Sequence, residues 1–182
     1  SHSKELNYLP RSAHGAAMDI SFTLETVGIP KRLTIPKGTR FSGLNSNGSY
    51  TFVTTQSATF TSANATYSVA NLALSEGTYF SDSYIVNYDI EAQKFILTNQ
   101  NVDIDTLTVN VVEDYGATNT VFTRAKTLFG LDNNSNVYFV QATHNNQYEI
   151  VFGDGYFGRR PLDSATVFAN YVICNGSDGN GI

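Results

Sequence analysis

Short runs in which apolar and polar residues alternate recur roughly 8–15 residues apart along this chain, each stopped by a cluster of Gly, Pro, Asn or Ser. A period of two sends successive side chains to opposite faces of an extended backbone, so each run reads as a half-buried strand. The cleanest is MDISFTLET, with Ile20, Phe22 and Leu24 on one face and Asp19, Ser21, Thr23 and Glu25 on the other. Further strands are expected in YTFVT, across Tyr67 to Leu74, in SYIVNYDI, KFIL and TLTVNVV, and in ATVFANYVIC. SYIVNYDI places Tyr84, Val86, Tyr88 and Ile90 on one face, and TLTVNVV does the same for Leu107, Val109 and Val111. The expected fold is mainly β, with antiparallel, sandwich-like sub-domains and one short helix.

Turn chemistry supplies the punctuation. Gly28 and Pro30 end the first strand, and Pro36-Lys37-Gly38 presets one turn position with proline and frees the next with glycine. Asn47-Gly48 marks a hairpin, the acidic NVDID a turn, and His144-Asn145-Asn146 a second hairpin. The helix is expected in VFTRAKTLFGL, where Val121, Ala125, Leu128 and Phe129 share one face, Asn119 or Thr120 can cap the start, and Gly130 stops it. The polar stretch EDYGATNT divides a leader (1–5) and a β-rich sub-domain (6–115) from a second sub-domain (116–182), unless the two interleave. Ser1-His2-Ser3 looks like the remnant of a purification tag, and the Asn/Gly-rich tail ends without a docking element, so an excised fragment of a longer protein is expected.

The most densely specified stretch is QYEIVFGDGYFGRRP. Strand alternation stops at Phe152, and Gly153-Asp154-Gly155 follows, where missing Cβ atoms permit positive φ. Gly158 and Pro161 complete a structural turn motif, Phe152, Gly153, Asp154, Gly155, Gly158 and Pro161. Within it, Tyr156, Phe157, Arg159 and Arg160 are the candidate protein-contact residues. Planar cations and aromatic rings bury much area with little rotamer freedom and recur in interface hot spots.

Other chemistry is poorly supported. Gly153, Gly155 and Gly158 space as G-x-G-x-x-G, but a dinucleotide site needs a helix opening there, and Pro161 and a β-rich continuation follow instead. A calcium reading of the turn has only Asp154 to supply charge. The loop Asp132-Asn133-Asn134-Ser135-Asn136 begins like an EF-hand, yet Val137 and Thr143 occupy the positions that need Gly and Glu. The single Cys174 reads as a small buried hydrophobe, and His144 as a solvated turn residue. No catalytic, metal or cofactor-binding residues are assigned, and no enzymatic activity or cofactor is expected. A net charge of -5 argues against a dedicated nucleic-acid binder. No run approaches the ~18 apolar residues of a membrane-spanning helix.

The segment YEIVFGDGYFGRRP, its following strand VFANYVICN and the tail GSDGNGI resemble the baseplate J-like family of contractile-tailed bacteriophages. Tyr148, Glu149, Ile150, Phe152, Gly153, Asp154, Gly155, Gly158 and Pro161 occupy that family's pattern, with Tyr171, Gly176 and Asn180 in the continuation. Upstream, LPRSAHGA and IPKGTRF are similar to two more of its recurring stretches, in the same order. The resemblance implies a structural component of a tail baseplate wedge, contacting copies of itself and other wedge proteins around the tail hub. It also implies a virion location, assembly in the host cytoplasm and rearrangement when the sheath contracts. A carbohydrate- or receptor-binding β-sandwich fits the same composition, although Trp is absent. A hydrolase fits it less well.

Overall fold

A computed structural model describes residues 12–25, 31–46, 48–64 and 66–174. The fold is mainly β, as the alternation predicts. The chain forms two compact units and, among the described residues, passes between them at Ser12/Ala13, Tyr79/Phe80 and Tyr171/Val172. The stretch 113–120, where composition turns polar, is the β9–β10 connection inside one unit, those strands being Val102–Glu113 and Thr118–Arg124.

Described residues between 13 and 79, with 172–174, make the first unit. Its sheet has six strands: β1 (Ala17–Glu25), β2 (Arg32–Ile35), β3 (Arg40–Asn45), β4 (Gly48–Thr54), β5 (Ala58–Ala63) and β6 (Thr66–Glu76). Every pair is antiparallel, and β6 pairs with β1, β4 and β5. Ile20, Phe22 and Leu24 of β1 alternate with exposed Asp19, Ser21, Thr23 and Glu25, as the sequence predicts. The inward face is a cluster of Ile35, Phe52, Val69, Leu72 and Leu74, with Ile20, Phe22, Leu33, Phe41 and Phe60 packed against it. The Pro36-Lys37-Gly38 turn forms as expected. Thr39 donates its N–H and its hydroxyl to the Pro36 carbonyl, and Gly38 sits at φ +82°. The β3–β4 hairpin pairs Asn45 with Gly48. Asn47, Gly28, Pro30, residues 1–11 with the leader among them, and the tail from 175 lie outside the described residues.

Residues 80–171, with Ser12, build the second unit. Its seven-stranded sheet runs β7 (Thr78–Ile85), β13 (Thr166–Ile173), β9, β10, β11 (Val137–Ala142), β12 (Tyr148–Phe152) and β8 (Phe95–Ile96). The β10–β11 pair is parallel, so this sheet is mixed. Its two end strands meet, and side chains rather than a ladder close the seam. The Tyr84 hydroxyl on β7 donates to the Ile96 carbonyl on β8 at 2.5 Å, and the Tyr84 and Phe95 rings pack edge to face. Thr98 donates its N–H (3.0 Å) and hydroxyl (2.7 Å) to the Asp82 carboxylate, which also accepts from the Tyr171 hydroxyl. The result is a nearly closed, barrel-like sheet. Burial raises the Tyr84 and Tyr171 hydroxyls above the usual range, and the neighbouring Asp82 charge adds to it.

Three sequence expectations fail here. The helix over 121–131 does not form. Thr118–Arg124 is strand β10, in which Phe122 is buried and Val121 exposed, and Phe129, beyond the strand, is exposed as well. Five β10 residues pair with β9, and a two-turn helix of mixed Thr, Val and Phe has too few bonds to repay its nucleation. NVDID is not a turn, because Val102 and Ile104 are buried and draw the segment into β9. SYIVNYDI stops being a strand at Ile85, and Ile90 N–H closes a turn on the Asn87 carbonyl.

Candidate functional site

Strand β12 delivers the glycine motif to the end of the barrel. The hairpin β11–β12 forms around His144-Asn145-Asn146 as expected, with Ala142 opposite Tyr148 and Asn146 at φ +60°. Phe152 ends the strand, and its ring joins a row that crosses the barrel. Tyr84–Phe95, Phe95–Phe152 and Phe152–Phe122 meet edge to face at 5.6, 5.6 and 5.5 Å between centroids.

Beyond Phe152 the glycines have separate jobs. Gly153 and Gly158 lie back to back, and a Cβ on Gly153 would fall 2.3 Å from the Gly158 carbonyl. That approach is closed to any other residue. Gly155 and Gly158 both hold positive φ, +90° and +112°. The Asp154 carboxylate accepts the N–H groups of Tyr156 and Phe157, each at 2.9 Å, and so fixes the turn from inside. The loop then docks on its neighbour: Gly158 N–H donates to the Asp132 carbonyl and Arg159 N–H to the Ser135 carbonyl, both at 2.8 Å. The Asp132 loop has no EF-hand geometry. Its carboxylate accepts from Asn134 N–H and the Ser135 hydroxyl.

The four candidate contact residues divide. Arg159 points inward, forming a forked pair with Glu113 at 2.9 and 2.8 Å and donating from Nε to Asn136. Its guanidinium also lies 5.1 Å from the Phe122 ring centroid. The Glu113 carboxylate is buried and accepts Leu162 N–H as well. Hydrogen bonds from Arg159 hold the Glu113 carboxyl below its ordinary range and outweigh burial, and the same bonds raise Arg159. Arg160 is exposed and stacks on Tyr88, 4.4 Å from its centroid, while the Tyr88 hydroxyl donates to the Pro161 carbonyl. Tyr156 (78% exposed) and Phe157 (45%) project from the loop into solvent. Pro161 is buried.

Glu113, Tyr88 and Asp132 are the supports that sequence reading missed. For Glu113 a signal existed: it shares the parity of Leu107, Val109 and Val111, and a carboxylate on an apolar face needs a cationic partner. Nothing local identifies that partner as Arg159, 46 positions away.

The site therefore holds two solvent-facing aromatic rings and one stacked cation on a loop braced by an ion pair, two backbone bonds and an Asx turn. Such an arrangement suits contact with another macromolecule, since the backbone that carries the rings is fixed before binding. The chain matches no protein-family model. It is 26% identical over 192 aligned residues to baseplate wedge protein gp6 of Enterobacteria phage T4, an alignment covering 96% of this chain and 28% of that protein. The chain thus spans under a third of the relative's length, and its kinship is with a phage baseplate protein.

Proposed function

We propose that this chain is a structural module of a contractile-phage tail baseplate wedge, working by protein contact rather than catalysis. The similarity to a wedge protein along 96% of the chain carries this reading. The resemblance of its glycine-turn segment to the baseplate J-like family favours the finer placement, with copies of itself and other wedge proteins as partners around the tail hub. The module would be assembled in the host cytoplasm and carried in the virion tail. Tyr156, Phe157 and Arg160 are its contact residues, and Arg159 is the internal brace that presents them.

The test is capture of the other wedge proteins of its phage by the immobilised chain, with Tyr156→Ala/Phe157→Ala as the comparison. Capture that drops at least about tenfold in the variant, with thermal unfolding unchanged, supports both role and surface. Capture that the variant leaves intact moves the surface elsewhere. Failure to capture any wedge protein removes the assignment.

A further inference from the structure

The edge of β12 is left open where β8 ends. Thr143 N–H donates to the Gln147 carbonyl, and the hairpin register runs on through Gln141↔Glu149 and Phe139↔Val151. Main-chain bonds to β11 therefore fall at Glu149 and Val151, and those of Tyr148, Ile150 and Phe152 point to the opposite side. Leu97 N–H, bonding the Tyr148 carbonyl, confirms that direction. On that side β8 is only two residues long, and its register stops at Ile150↔Phe95. Phe152 is the next outward-facing position, beyond the last β8 residue. The residue that would oppose it, Gln93, is outside β8 and spends its side-chain amide on Asn87 N–H and the Ile85 carbonyl.

That open edge forms one wall of a groove of about 380 Å³ lined by Val86, Tyr88, Ile90, Phe95, Arg160 and Pro161, among others. An exposed strand edge with side-chain pockets beside it is the arrangement by which extended peptides add to a sheet. We propose that this groove accepts an extended segment of a partner protein, which pairs with the main chain of Phe152 as an added strand. Its apolar side chain enters between Val86, Ile90 and Phe95, and an acidic residue meets Arg160. Stacking on Tyr88 fixes the Arg160 guanidinium beforehand, and a planar cation favours a carboxylate. Glu91 also lines the groove, so the acid belongs at the Arg160 end of the segment. The inference shares Arg160 with the proposed wedge-contact surface but not its test, which uses no wedge protein and so can fail without that reading failing.

The probe is a set of end-blocked hexapeptides, Thr-X-Thr-X-Asp-Thr, with X drawn from Val, Ile, Leu, Phe and Tyr, titrated into the full chain and followed by amide NMR. Members of the set should shift the amides of Phe152, Gly153, Phe95 and Ile90 at peptide concentrations of about 1 mM or below. N-methylation at alternate residues, which removes the edge hydrogen bonds but keeps the side chains, should abolish those shifts. Arg160→Glu should weaken binding at least about tenfold and transfer preference to the same peptides with Lys in place of Asp. Equal binding of the methylated peptides, an unchanged preference in Arg160→Glu, or no response from any member at that concentration overturns the proposal.

Discussion

The six-stranded and seven-stranded sheets solve the same problem differently. In the first, the ladder is antiparallel throughout, and its apolar face is filled by Phe52, Val69, Leu72 and Leu74. In the second, buried carboxylates stand where the ladder gives out. Asp82 bridges the β7–β8 seam, and Glu113 holds the 153–162 loop over the end of β9. Backbone pairing is generic and tolerant of side chain, whereas a buried carboxylate is satisfied by one arrangement of donors. The barrel unit therefore gains positional definition at the places where it presents a surface, and it becomes sensitive there to single atoms.

The largest expected break in that contrast is Gly153→Ala. A methyl group 2.3 Å from the Gly158 backbone should cost more than about 4 kcal/mol in urea unfolding or prevent folding. Gly43→Ala in the six-stranded sheet, whose Cβ would meet only the Phe52 ring at 3.4 Å, should change stability by less than about 1 kcal/mol. A comparable loss at both positions would erase the distinction.

Arg159→Ala leaves the Glu113 carboxylate buried without its partner and should cost about 3 kcal/mol. The sign with pH follows from the depressed Glu113 carboxyl. Its contribution is present above the ordinary Glu range and is lost as pH falls through the lower folded value. Acid titration of stability should therefore be steeper in the parent than in the variant below about pH 4.5.

Asp82→Asn keeps the shape of the seam brace but replaces an acceptor oxygen with a donor facing Thr98 or Tyr171, at an expected cost of about 1–3 kcal/mol. Alkali probes the same unit. The Tyr138 hydroxyl is pushed up to about 12 by burial, and those of Tyr84, Tyr148 and Tyr171 are raised as well. Raised values mean stability fully present below about pH 10 and lost as pH climbs through the folded values. Far-ultraviolet circular dichroism against pH should show barrel loss in that window. The smallest effect belongs to Tyr156→Ala, which should alter thermal stability by less than about 0.5 kcal/mol. A larger loss would make Tyr156 part of the scaffold rather than of the displayed surface.

Much of this was legible from alternation alone. MDISFTLET, TLTVNVV and ATVFANYVIC became β1, the body of β9, and β13, because a period of two is enforced by every residue of a strand at once. The glycine turn was legible because few backbones need so many missing Cβ atoms. The polar strand β5 was not, since Thr and Ser carry little apolar signal on either face. Nor was the fate of VFTRAKTLFGL, whose helical spacing was real but lost to a ladder with β9. By residue type alone Arg159 reads as a contact residue, and only the fold brings Glu113 and Asn136 to it.

The strand order has a further consequence, for the timing of folding. The six-stranded sheet is drawn entirely from residues 17–76, so all its strands exist before β7 begins to emerge from a ribosome. The seven-stranded sheet places β13, the last strand in the described chain, between β7 and β9. At translation rates of about 5–20 residues per second, the facing edges of β7 and β9 wait several seconds for the strand that separates them. During that interval they are templates for each other or for a neighbouring chain, and the barrel can close only after synthesis has passed Tyr171.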